Sequence, residues 1–293
     1  MQKSIGLLIF VLIFLFSITF AQTYGSFYST GAAIGWSPRL SGMGGVSAAL
    51  EGNIEASIYN PASIARLINS GFSFGYNHLG INPESLGFGG ENISGMMISF
   101  GVPDTGLWAS EIYYTRLSPQ EELGVIYVEN QLGYTIGKPI FQNLSLGATF
   151  KKLWITLPDP YTADGFGLDV GVILKFTPNI KIGFSAQNLY NTLYWNNGET
   201  SYNEPIKPNI KAGVAWQNPN LILAVDIDFP DLYIHVGGEY SFGDTLFLRF
   251  GWNVDSPTFG IGVKKENISV DYSLLYSLNL GGFYHRVGLN MYF

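Results

Sequence analysis

A chain of 293 residues with only 13% charged, against about 25% in ordinary soluble domains, keeps much of its surface away from water. That length holds one large all-β domain or two small ones, and the 21 Phe and 18 Tyr suit strands and interfacial belts. A net charge of −7 argues against nucleic acid as a partner, and the absence of cysteine excludes disulfide scaffolds and thiolate metal sites.

Lys3 is followed by the apolar run 5–16 and then by Thr19, Phe20 and Ala21, a small-x-small ending. This pattern predicts a signal peptide over 1–21, with Gln22 the first mature residue; the alternative is an uncleaved anchor. Beyond residue 21 no apolar stretch of about 18 residues remains, so positive mean hydropathy (+0.18) has to be carried by strands.

Residues 22–70 do not alternate. They are Gly- and Ala-rich around Gly42-Met43-Gly44-Gly45, and Asn60-Pro61-Ala62 follows fifteen residues later. Asn60 is a good N-cap and Pro61 a good first helical residue, so a short helix is expected from Pro61 to about Ile68. Such a compact segment suits a plug inside a barrel or an extension folded against its mouth.

From residue 71 onward the period is two. Phe166, Leu168, Val170, Val172, Leu174 and Phe176 alternate with Gly165, Gly167, Asp169, Gly171, Ile173 and Lys175. Fourteen strands are predicted, at 71–77, 95–102, 107–116, 122–137, 143–155, 165–176, 180–188, 209–217, 220–228, 232–242, 245–253, 258–264, 267–276 and 283–293. Connections 103–106, 138–142, 177–179, 218–219, 243–244 and 265–266 are short, whereas the opposite set holds the long ones, 78–94, 156–164 and 189–208. Sorting of loop length by parity is a property of outer-membrane barrels, which carry short periplasmic turns and longer outer loops. Trp108, Trp154, Trp216 and Trp252 near strand ends fit an aromatic girdle. The domain division is therefore 1–21 signal peptide, 22–70 hatch segment and 71–293 antiparallel transmembrane β-barrel of about fourteen strands.

The greasy face then meets outer-membrane lipid and the other face a lumen. Asp169, Lys175, Lys211, Asp226, His235, Glu239, Arg249, Asp271 and Arg286 all fall on that second face, with both signs present. Buried charges must be paired or wet, so they form a polar network that either lines a translocation path or braces the barrel and its plug. His235 lies on this face with Glu239, while His285 faces lipid. No Ser sits in a G-x-S-x-G elbow, and His78, His235 and His285 have no metal-ligand spacing, so neither an enzyme, a metal site nor a cofactor is expected.

The spacing of Gly42-Met43-Gly44-Gly45 and Asn60-Pro61-Ala62 after a signal peptide resembles the N-terminal signature of the FadL-like outer-membrane barrels, in particular their PorV/PorQ branch. The resemblance is specific over residues 37–66 and architectural beyond them. It departs at Ser63, where members often carry Gly or Ala, and in a short mature chain with reduced outer loops. It implies a fourteen-stranded barrel in the outer membrane of a diderm bacterium, with Asn60, Pro61 and Ala62 in a hatch. Two functions follow as expectations. One is a plugged channel for small hydrophobic or amphipathic solutes. The other is a non-conducting barrel that docks other envelope or secretion proteins, with the aromatic-rich stretch 189–208 as the contact surface.

Overall fold

The computed structural model describes residues 35–79, 93–119, 127–278 and 282–293. The predicted signal peptide and the Gly-rich stretch 87–90 lie outside these residues. The elements are α1 (Pro38–Gly42), α2 (Ile54–Ser57), a 3₁₀ turn (Pro61–Arg66), β1 (Gly71–Leu79), β2 (Ile93–Val102), β3 (Ala109–Pro119), β4 (Val128–Phe141) and β5 (Leu144–Thr156). They continue with β6 (Thr162–Lys175), β7 (Ile180–Asn196), β8 (Ser201–Pro205), β9 (Asn209–Gln217), β10 (Leu221–Phe229), β11 (Tyr233–Phe242), β12 (Leu246–Asn253), β13 (Ser256–Lys265), β14 (Ile268–Ser277) and β15 (Gly282–Tyr292).

Each strand pairs antiparallel with its neighbours, β1 pairs with β15, and β7 pairs with β6 on one side and β9 on the other. Of the fifteen strands only β8 stands outside the ring, so the sheet closes as a fourteen-stranded antiparallel barrel. Closure leaves the ring without an edge, which removes the unpaired N–H and C=O groups that an open sheet would expose. The fourteen ring strands match the fourteen predicted from alternation in number and order; most ends agree within a few residues, but β4 begins at Val128 rather than 122 and β7 runs to Asn196 rather than 188.

Alternation has the expected consequence for burial. On β6, Phe166, Leu168, Val170, Val172 and Leu174 point outward, while Gly165, Gly167, Asp169, Gly171 and Ile173 are buried. Exposed apolar side chains recur around the ring: Ile112, Leu132, Phe150, Val214, Val225, Phe250, Ile261, Val270 and Val287. His285 is outward too, where its Nδ1 meets the Tyr272 hydroxyl at 2.8 Å.

The two ends of the ring differ. At the base, where the chain enters β1 and leaves β15, Phe293 N donates to Ser70 O at 2.9 Å and every connection is short. At the opposite end, the rim, the expected long loop over 189–208 is largely strand. The chain continues β7 to Asn196 and returns as β8, pairing Thr192 with Pro205 and Asn196 with Ser201. Loop parity also holds for only half of the rim, since 230–232 and 254–255 are as short as base turns. Strands β4 to β7 are 14, 13, 14 and 17 residues long, whereas β9 to β13 are 9, 9, 10, 8 and 10. One side of the barrel is therefore a tall wall and the other a short one.

The segment from Trp36 to Leu67 packs against the inner face of this ring. Helix α1 sits on β12–β15, α2 on β1 and β2, and the 3₁₀ turn on β3–β6. On eleven of the fourteen ring strands, an inward glycine lies against a residue of this segment. Two show why no side chain fits. A Cβ at Gly171 would overlap the Asn60 Oδ1, and one at Gly237 would overlap the Met43 carbonyl oxygen. The predicted helix at Pro61 is a 3₁₀ turn ending at Arg66, held by i→i+3 bonds (Ser63 N to Asn60 O, Leu67 N to Ile64 O). Leu67 is already extended (ψ 131°), and Ile68 is exposed outside the turn. A tight single turn is what fits between the strands, where Gly137 approaches Ala65.

Candidate functional site

The structure brings the two parts of the N-terminal motif together. Asn60 is fully buried; its Oδ1 accepts from Ala62 N at 3.0 Å and its Nδ2 donates to Ala48 O at 2.5 Å. One carboxamide thereby caps the 3₁₀ turn and ties it to the chain that follows Gly42-Met43-Gly44-Gly45. Pro61 and Ala62 lie against Gly147 of β5. At the other part, Gly44 and Gly45 have φ of +71° and +83°, a turn that side chains resist. The turn aims Gly44 N at Thr258 Oγ1 (3.0 Å), and Thr258 Oγ1 donates in turn to Gly42 O (3.1 Å). Met43 is completely buried.

The predicted lumen residues fall into three clusters and two outliers. In the first, Glu239 accepts from Arg39 Nε and Nη2 at 2.8 and 2.7 Å and from Arg249 Nε at 2.6 Å. Arg249 Nη1 reaches Asp271 at 2.6 Å, and Asn290 Nδ2 donates to Asp271 at 3.2 Å. Opposite charges thus alternate from α1 across β11, β12 and β14. In the second, Lys211 meets Asp228 at 2.5 Å, while Asp226 accepts from the backbone N–H groups of Ser47 and Ala48 at 2.6 and 2.9 Å. His235 joins this cluster through Gly44 O (Nδ1, 3.0 Å) and Asp228 (Nε2, 3.4 Å). Glu239, four residues along the same strand face, is committed to the two arginines. In the third, Lys151 meets Asp169 at 2.8 Å and the Asn188 Oδ1 at 2.7 Å, where β7 bulges against β6.

Lys175 does not join any of these. It is inward by register but exposed at the base, opposite Lys181. Arg286 is fully buried and donates from Nε to Gly35 O at 3.0 Å, away from the charge chain. Among the described residues no group of three His, Asp or Glu is placed to hold a metal ion.

Sequence reasoning missed the partners supplied by the N-terminal segment. Residues 22–70 contain only four charges, Arg39, Glu51, Glu55 and Arg66. Arg39 pairs with Glu239. Glu51 meets Arg66 at 3.0 Å and Lys181 at 3.4 Å, and accepts from Ser145 Oγ at 2.6 Å. Arg66 also donates to the Phe141 and Gln142 carbonyls at the base turn. Glu55 accepts from Ser37 Oγ at 3.0 Å. Charges so scarce in a buried segment were the available signal, because each needs a partner.

The inward face is not polar throughout, as alternation had suggested. Toward the rim of the tall wall, Leu153 and Ile155 of β5, Ala163 of β6, Leu193 of β7 and Ile206 pack together, with Leu157, Tyr127 and Trp195 against them. Ile93, Met97, Tyr113 and Leu117 continue this lining on β2 and β3 and reach Ile58 and Tyr59 of the N-terminal segment. The charged clusters and this apolar lining occupy different parts of the same interior.

A closed fourteen-stranded antiparallel ring has known counterparts. The chain resembles the toluene transporter TodX of P. putida (13% identity, TM-score 0.66, covering 89% of this chain and 99% of that one). It resembles the toluene transporter TbuX of Ralstonia pickettii similarly (15%, TM-score 0.62, 89% and 98%). A FadL homologue from Pseudomonas aeruginosa matches as well (12%, TM-score 0.55, 93% and 98%). The fold is that of the FadL-like barrels. No protein-family model and no curated protein matches the sequence.

Proposed function

We propose that this protein is an outer-membrane channel for small hydrophobic solutes, with the segment from Trp36 to Leu67 as the hatch that fills its lumen. The observation that carries the membrane reading is the inverted polarity of the ring. Apolar side chains face outward on strand after strand, from Ile112 through Val225 and Ile261 to Val287, while Asp169, Lys211, Glu239, Arg249 and Asp271 are enclosed. A soluble sandwich buries the apolar face; a bilayer-spanning barrel exposes it. The solute class follows from the apolar lining at the rim around Leu153, Leu193 and Ile206, and the structurally similar proteins named above as toluene transporters support it. In this reading the signal peptide is cleaved and the mature chain assembles in the outer membrane.

The residues do mechanical and electrostatic work. Asn60 and the Gly44-Gly45 turn shape the hatch, Arg39 and Asp226 bind it to the wall, and the rim lining supplies a place where an apolar solute leaves water. The test is uptake of a radiolabelled monoaromatic hydrocarbon by diderm cells expressing the wild type or Leu193→Lys. Faster uptake with the wild type, lost in the variant while heat-modifiable gel migration is retained, supports the reading. Uptake no faster than in cells lacking the protein overturns it.

A second reading, a docking barrel of the PorV/PorQ kind, is favoured by one feature. Tyr190, Tyr194 and Tyr202 stand exposed on the β7–β8 hairpin, where Trp195 stacks on Tyr202 at 6.0 Å. Aromatic side chains of this kind are enriched in protein interfaces. Co-purification of a stoichiometric envelope protein, lost on replacing Tyr190 and Tyr202 with Ser, is the expected sign.

A further inference from the structure

The strand glycines of the barrel face inward, with one exception among the described residues. Gly238 of β11 faces outward, in register with Leu223 of β10 and Phe250 of β12, both of which are exposed. Glycine weakens a strand, and in a strand interior it often marks the close approach of another group. On eleven strands that group, inside the barrel, is the N-terminal segment. At Gly238 a Cβ would lie 2.9 Å from both the Ile222 carbonyl oxygen and Leu223 Cδ2. The missing side chain leaves a gap in the outward row between Val236 and Tyr240.

This gap belongs to an outward groove of about 720 Å³, lined by side chains of Leu223, Val225, Val236, Phe250, Trp216 and Trp252. Sites of about 300–1,000 Å³ hold small-molecule ligands. The groove crosses four strands along two paired rows, Trp216–Leu223–Gly238–Phe250 and Val214–Val225–Val236–Trp252. Trp216 lies beside the base turn and Trp252 beside the rim turn, so the two indoles mark opposite edges of the apolar belt. Trp252 Nε1 is already satisfied by Val254 O at 2.8 Å, which leaves its ring to the groove. At its floor only backbone separates the outside from the hatch, since the neighbouring Gly237 lies against the Met43 carbonyl.

We propose that this groove seats one hydrocarbon chain of a bilayer phospholipid and retains it as a bound lipid. The proposal rests on the membrane reading above. The occupant follows from position and chemistry: a concave, apolar strip running from one aromatic edge of the belt to the other takes a flexible chain that spans that depth.

The experiment reconstitutes the full chain in vesicles of palmitoyl-oleoyl phosphatidylethanolamine and phosphatidylglycerol, re-extracts it in mild detergent and measures retained phospholipid by native mass spectrometry. Wild type should carry one phospholipid. Val236→Trp, which fills the gap from its flank, and Phe250→Ala, which removes a wall without adding bulk, should each lower occupancy at least tenfold. Val270→Trp, equally outward on β14, should leave it unchanged. Equal occupancy in all four proteins, or no retained phospholipid in any, overturns the proposal while the protein still floats with vesicles. A dimer in place of the lipid adduct, lost in Val236→Trp, overturns it in favour of a second copy. A wild-type chain that does not float with the vesicles overturns the membrane reading itself.

Discussion

The tall wall, β4 to β7, and the short wall, β9 to β14, are made of the same alternating strand, yet they differ in two ways that go together. A strand needs about 9–11 residues to cross a bilayer. The short-wall strands β9 to β13 have eight to ten residues and end in tight turns, so in the proposed membrane reading nearly all of each lies in the apolar belt. The 17-residue β7 continues well past it, at about 3.4 Å per residue. Inward chemistry follows the same division. The short wall carries the chain Glu239–Arg249–Asp271 that binds α1. The tall wall carries Leu153, Ile155 and Leu193 beyond the hatch. The lesson is that one repeating pattern serves two tasks: beside the N-terminal segment the inner face is charged, small or glycine, and above it Leu153, Ile155 and Leu193 make the inner face of β5 and β7 apolar.

The largest test of this contrast removes the centre of the charge chain. Arg249→Met leaves Glu239 with Arg39 alone and Asp271 without its cation, and breaking a buried pair costs about 3–5 kcal/mol. Urea unfolding in lipid vesicles should show that loss. A change under 1 kcal/mol would mean that water within the lumen satisfies these carboxylates.

Outward charge separates the walls next. Ile261→Arg lies mid-strand on β13 and should cost roughly 2–4 kcal/mol in the same assay. Tyr194→Arg, outward on the part of β7 that rises beyond the belt, should cost about 0–1 kcal/mol. Equal penalties would show that the tall wall is immersed to its rim.

Within the N-terminal segment, Asn60→Ala deletes a cap and the tie to Ala48, with a cost of about 0.5–2 kcal/mol by the measure of helix caps. Its more specific consequence is greater proteolysis of the N-terminal segment with the barrel intact, read by gel migration before and after heating.

The smallest effect belongs to the base turn. The hydrogen bond from Lys138, at 2.9 Å, holds the Asp104 carboxyl below its ordinary value. A carboxylate lowered in the folded state contributes stability that is present above its unfolded pKa and lost as pH falls through the folded one. Any stability difference between wild type and Asp104→Asn should therefore be present at neutral pH and vanish in acid, following chemical denaturation at both.

Local pattern determined much of this molecule. A period of two is a property of the strand backbone itself, so Phe166 to Lys175 could be assigned to two faces with no knowledge of partners, and the same held for the short turns at the base. Asn60 and Pro61 announced a cap and a first turn through their own side-chain chemistry. Other features depend on residues far apart in the chain, and no local preference encodes them. Arg39 meets Glu239 across 200 positions because closure of the ring brings β11 to α1. Stretch 189–208 read as a loop because its pairing of Thr192 with Pro205 is chosen only once β7 is anchored on β6. The inward glycines are legible as small residues, but which backbone each admits is decided when the segment from Trp36 to Leu67 is enclosed. Alternation tells which side chains share a face; only the closed barrel decides what that face encloses, because enclosure sums contacts from every strand at once.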